Sequence, residues 1–194
     1  MKTIRSGMLT LVVAIGAALV PVAAHAGSYS APDASGDVMK YDFSSDTPTK
    51  VPDRTDGDIV NSRVVHGPNR ITMEVRYRDL NASGSAIVHD FRIGTNKHRI
   101  REIGIVAGPG RWQGHRIVLN RHGKRVHCKG VHWSLQYGAN LVRVSVPRRC
   151  LGNPKWVHVG IGTFEQANDS FFIDDANTNG TFGETVKWGP RVYR

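Results

Sequence analysis

Hard oxygen ligands gather at two places in this chain. Asp33, Asp37 and Asp42 lie near its start, and Asp174, Asp175, Asn177 and Asn179 lie just before Gly180. Calcium takes about six to eight oxygen ligands and accepts irregular loop geometry. The expectation is therefore one calcium ion shared by two distant segments, with Asp33, Asp37, Asp174 and Asp175 as its carboxylates. The later run departs from an EF-hand loop, since it lacks the alternating spacing and the closing Glu. The competing role of these residues is turn formation, because Asp and Asn side chains bond to nearby backbone.

A second chemistry is polyanion binding. Between Asn61 and Gly160 there are 18 basic side chains against 4 acidic ones, and the flanking segments are acidic. Arg76, Arg78, Arg99, Arg101, Trp112 and Arg116 form the candidate ligand set, with Arg92, Arg111, Arg121, Lys124 and Arg125 nearby in sequence. Cations collected on one face bind phosphate, sulfate or carboxylate polymers in a salt-dependent way. Trp112, Trp133 and Trp156 offer stacking platforms for sugars or bases, or else core packing. The competing reading is a solvated surface, since Arg is common on exposed strand faces. No nucleic-acid-binding motif is present, so no sequence-specific nucleic-acid partner is expected.

His122, His127, Cys128 and His132 are a weaker metal constellation. Imidazole and thiolate suit zinc. His127 and Cys128, however, are consecutive and point to opposite faces of a strand. None of G-x-S-x-G, H-E-x-x-H or a Walker loop occurs, which points away from the enzymes those motifs mark. Paired carboxylates for glycosidic cleavage need proximity in space rather than in sequence. A small extracellular hydrolase with an unrecognised site is therefore the second functional reading, and a structural or protein-interaction module the third.

Strands must position these groups. Ile71, Met73, Val75 and Tyr77 alternate with Thr72, Glu74, Arg76 and Arg78, the period of a half-buried strand. Further strands are read over 86–93, 97–106, 111–119, 131–137, 142–146 and 157–161, and a last one over 185–193. Gly and Asn separate them every ten to twelve residues or so, and no stretch has a helical period. The fold class is all-β, an antiparallel β-sandwich of jelly-roll or Ig-like Greek-key type. Residues 27–58 read as an acidic, partly flexible entry segment wrapped onto that sandwich.

Lys2 and Arg5 precede an uncharged apolar run from Met8 to Val20, then Pro21, then Ala24-His25-Ala26. This is the layout of a secretory signal peptide over residues 1–26, the alternative being an uncleaved membrane anchor, for which the apolar run is short. Cleavage leaves 27–194 as one secreted domain with no membrane span. Cys128 and Cys150 are the only cysteines. In an oxidising compartment such a pair is most simply one disulfide, the alternative being two buried thiols.

Three stretches carry a family resemblance: Asp33-Ala-Ser-Gly-Asp37-Val38, the run from Pro52 to His66, and the run from Arg70 to Leu80. They resemble secreted β-sandwich proteins of high-GC Gram-positive bacteria. More distantly they are similar to carbohydrate-binding and DOMON-like modules, which open on a D-x-x-G-D segment followed by an Asp-Ile strand. The resemblance covers residues 33–80 and implies a sandwich fold. In the better-known relatives a sheet face binds sugars through aromatic residues, or a Met/His pair binds haem. The expectation is a non-catalytic secreted module for cell-envelope or extracellular glycans, anionic or neutral, with calcium the one cofactor the residues suggest.

Overall fold

Ile71, Met73, Val75 and Tyr77 are buried, and Thr72, Glu74 and Arg76 turn outward. β-branched and aromatic residues at every second position suit a pleated surface with one covered face. The same alternation recurs along the chain and builds two antiparallel sheets packed against each other, a β-sandwich. The computed structural model describes residues 27–44, 47–167, 169–181, 183 and 185–194. The leader read over residues 1–26 lies outside the described residues.

In chain order the strands are β1 (Gly27–Pro32), β2 (Met39–Asp42), β3 (Thr49–Lys50), β4 (Ile59–His66), β5 (Arg70–Tyr77), β6 (Ile87–Thr95), β7 (Ile100–Gly108), β8 (Arg111–Asn120), β9 (His132–Gln136), β10 (Leu141–Pro147), β11 (Trp156–Ala167), β12 (Ser170–Asp175) and β13 (Val192–Tyr193). The smaller sheet has the order β1-β4-β5-β10-β9. The larger runs β3-β2-β12-β11-β6-β7-β8, with β13 added on β11. The acidic opening segment supplies β1 to one sheet and β2 and β3 to the other. It thereby bridges the two layers at the end where the candidate acids lie.

The core is aliphatic. Ile59, Val64, Met73, Val75, Val142 and Val144 of the smaller sheet face Phe91, Ile93, Ile103, Ile105, Val159 and Ile161 of the larger. The structure departs from the sequence reading in several strands: it adds β12, runs β11 on to Ala167, and makes two strands shorter than read. The strand read from Lys97 starts at Ile100 because His98 takes a left-handed φ of 52° and its amide closes a turn onto the Thr95 carbonyl. The strand read over 185–193 is reduced to Val192–Tyr193. Upstream of it the chain crosses the outer face of β11, where Gly160 and Gly162 leave room. A Cβ on Gly162 would stand 2.5 Å from Val186 Cγ1.

Cys128 and Cys150 form a disulfide with Cα atoms 5.7 Å apart and a sequence separation of 22. It ties the loop before β9 to the turn that follows β10. Closing a loop of that length restricts the unfolded chain by about 3 kcal/mol in the entropy model. The Cys128→Ala/Cys150→Ala protein is expected to lose about that much in urea denaturation. Dithiothreitol should then destabilise the wild type and leave the variant unmoved.

Candidate functional site

Each carboxylate at the acidic end is placed by a different element. Asp33 follows β1, and its amide donates to the Val60 carbonyl. Gly36, with a φ of 77°, turns the chain so that Asp37 is buried. Asp58 immediately precedes β4, and Asp174 lies near the end of β12. Asp33, Asp37 and Asp174 each offer an oxygen within 4.8 Å of the others. That separation suits oxygens on one calcium ion, whose bonds of about 2.3–2.6 Å put two ligands at most about 5 Å apart.

The hydrogen bonds account for only part of this negative charge. Asp174 accepts the Ile59 amide at 2.6 Å and the Asp175 amide at 2.8 Å. Asp58 Oδ2 accepts the Gly36 amide at 2.8 Å and lies 3.6 Å from the Arg78 guanidinium. The second oxygen of Asp58, one oxygen of Asp33 and both oxygens of Asp37 are buried without a well-formed hydrogen bond. Burial, then the charges of Asp174 and Asp37, pushes the Asp33 carboxyl up to about 8. Burial, with Asp37 beside it, raises Asp174 to about 7 against the pull of the Ile59 amide. Asp37 is raised by burial and by Asp58, and Lys50 opposes the rise. Buried charges are retained when they are paired or bind metal. This donor set is all hard oxygen, which fits calcium rather than a softer metal.

Three of the four carboxylates expected from sequence thus converge. Asp175 is turned to the opposite face of β12. Its oxygens accept the Asn177 amide at 3.0 Å and the Lys187 amide at 2.6 Å, so it fastens the chain that follows. Asp42 lies at the far end of β2, paired with Lys40 at 2.7 Å. Asp58 was not singled out by its sequence context, although it stands in the Asp-Gly-Asp-Ile segment that carries the resemblance. With Cys128 held in the disulfide, no thiolate remains for the histidine constellation around it.

The basic candidates separate. Arg99 just before β7 and Arg101 at its start line one depression of about 360 Å³ with Lys97, His98, Arg121 and His122. Among the described residues none of Lys97, Arg99, Arg101 and Arg121 has a carboxylate within ion-pair distance. Partial burial, then the like charge of Arg99, lowers the Arg101 pKa. Arg76 is exposed on the smaller sheet, and Arg78 belongs to the acidic end. Arg116 turns inward at the edge of the sandwich, 5.4 Å over the Trp133 ring. Trp112 packs edge-on against Tyr137.

Another ladder escaped the sequence reading because it joins residues remote in the chain. His158 stacks on Trp188 with centroids 4.0 Å apart, and Trp156 meets His158 edge-on at 5.6 Å. Arg92 and Arg191 cover the two tryptophans, at 4.9 and 4.4 Å. Burial, then Arg191 and Arg92, lowers the His158 pKa.

Among the described residues no helix is long and apolar enough to cross a membrane. No family model matches this chain, and neither a curated protein nor a solved structure does.

Proposed function

We propose that this protein is a secreted, non-catalytic binding module, fastened by calcium at its acidic end and presenting its basic end to anionic glycans. The observation that carries the binding role is the group of four cations around one depression with no carboxylate among the described residues at ion-pair distance. Unneutralised cations that already repel each other gain from a polymer carrying closely spaced anions. Calcium is supported by the convergence of Asp33, Asp37 and Asp174, with buried oxygens of Asp33 and Asp37 left without a hydrogen bond and Asp58 beside them. Export is supported by the leader-like first 26 residues and by a disulfide, which oxidising compartments permit. The resemblance of residues 33–80 to carbohydrate-binding sandwiches points the same way.

Heparin, used as a densely sulfated probe, is expected to bind with an affinity that falls steeply as salt rises. Arg99→Gln/Arg101→Gln removes two cations at about 1 kcal/mol each near an anionic surface, or roughly thirtyfold in Kd. It also flattens the salt dependence by about one unit of slope per lost contact. Titration calorimetry from 50 to 300 mM salt, with neutral dextran as comparator, measures both. Equal binding of dextran, or an unchanged Kd for the double variant, rejects the reading.

A further inference from the structure

The outer face of the larger sheet holds a groove of about 360 Å³ that the acidic and basic ends do not explain. Its origin lies in the strand register. Asp90 on β6 stands opposite Gly104 on β7 and opposite Gly162 on β11. Residues opposite each other in a sheet share a face, so both cross-strand neighbours of Asp90 lack a side chain on its side. Val186 of the C-terminal segment occupies the space over Gly162 and becomes one wall. The space over Gly104 stays open: a Cβ there would meet only Val88 Cγ1, at 3.6 Å. Val106, Ile117, Leu119 and Phe164 complete apolar walls around a floor of Asp90, Arg92 and Glu102.

Among the described residues the floor holds two carboxylates against one guanidinium. Arg92 stands opposite Glu102 in the register, yet its guanidinium lies over the Trp188 ring at 4.9 Å. Among the described residues neither Asp90 nor Glu102 has a cation within ion-pair distance. Burial, then the charge of Glu102, pushes the Asp90 carboxyl up to about 7, and Arg92, beyond ion-pair distance, opposes the rise only in part. Its volume is within the range of small-ligand sites, which pair apolar walls with a few fixed polar groups.

We infer that this groove is a second binding site, for a small molecule with an ammonium head on an apolar body. The head sits between Asp90 and Glu102, and the body fills the space over Gly104 against the aliphatic walls.

The test uses the intact protein saturated with calcium, so that the acidic end cannot capture the amine. Three isosteric probes are titrated calorimetrically: 4-phenylbutylamine, 4-phenylbutanol and 4-phenylbutyrate. The amine is expected to bind at least tenfold tighter than the alcohol, and the carboxylate weakest of the three. Asp90→Asn/Glu102→Gln should bring amine and alcohol to the same affinity. Gly104→Val should weaken both at least tenfold by filling the groove, with an unchanged melting temperature. Should Gly104→Val fail to fold, Gly104→Ala supplies the same readout with a smaller loss. The inference falls if the alcohol matches the amine in the wild type, if no probe binds at millimolar concentration, or if a folded Gly104 variant binds as the wild type does.

Discussion

Calcium added to the chelated protein is expected to raise its melting temperature by about 10 °C. A ligand that binds only the folded state at a thousandfold excess over Kd contributes about 4 kcal/mol. For a chain of this size each kcal/mol moves the midpoint by about 2–4 °C. The physical basis is that Asp33, Asp37 and Asp174 are brought together by folding and are separated in the unfolded chain, so no equivalent site exists there. Asp37→Asn separates a calcium site from a merely acidic turn. Without calcium it removes one of several repelling buried charges, so the chelated variant should melt above the chelated wild type. With calcium it removes a ligand, so the order should reverse. Magnesium should reproduce little of the gain, because it is smaller, prefers octahedral geometry and gives up its water reluctantly. Differential scanning calorimetry of both proteins in EGTA and in excess calcium measures all four midpoints. A calcium-independent midpoint for the wild type, or a variant below the wild type under both conditions, removes the calcium reading.

The sequence made part of this arrangement legible for a simple reason. D-x-x-G-D near the start and Asp-Asp-x-Asn near the end are dense in oxygen, and a sandwich can bring such remote segments together. Asp58 escaped notice because one Asp before a strand is ordinary turn chemistry. The inclusion of Asp175 has the opposite cause. Asp174 and Asp175 are consecutive in a strand, so the two carboxyls must diverge. Applied to β12, that rule admits only one of the two to a shared site; it does not govern His127 and Cys128, which lie in the loop before β9 and in no strand.

The arginines show a different limit. Alternation says that Arg76, Arg92 and Arg101 lie on strand faces, but not which sheet each strand joins or which strand lies beside it. Arg99 and Arg101 meet Arg121 only because β7 pairs with β8. Arg116 shares a face with Ile105, yet at an edge strand that face reaches the rim of the sandwich and Trp133. The groove over Gly104 was hidden for the same reason. It depends on two glycines from different strands flanking one Asp, and no spacing within a single strand reveals that.

The acid sensitivity of the fold should trace in large part to His89. This side chain is fully buried on the inner face of β6, with Nδ1 2.9 Å from the Tyr77 hydroxyl and Nε2 without a partner. Burial lowers its pKa to about 3. In the unfolded chain it titrates near the ordinary histidine value of about 6.5. Between those two values the unfolded state holds a proton that the folded state refuses. Stability from the neutral imidazole is therefore fully present above pH 6.5 or so and declines as the pH falls, by about 1.4 kcal/mol per unit. At pH 4 the loss amounts to about 3.5 kcal/mol. His89→Gln keeps a hydrogen-bonding group near Tyr77 but does not titrate. Carboxylate titrations occur in both proteins and cancel in the difference between their urea stabilities. That difference should be flat from pH 7 to 8 and then shift in favour of the variant as the solution is acidified to pH 4. Parallel stability curves over the whole range would mean that His89 already accepts a proton in the folded state, through water reaching Nε2. The closed inner face of β6 would then be open to solvent at that position.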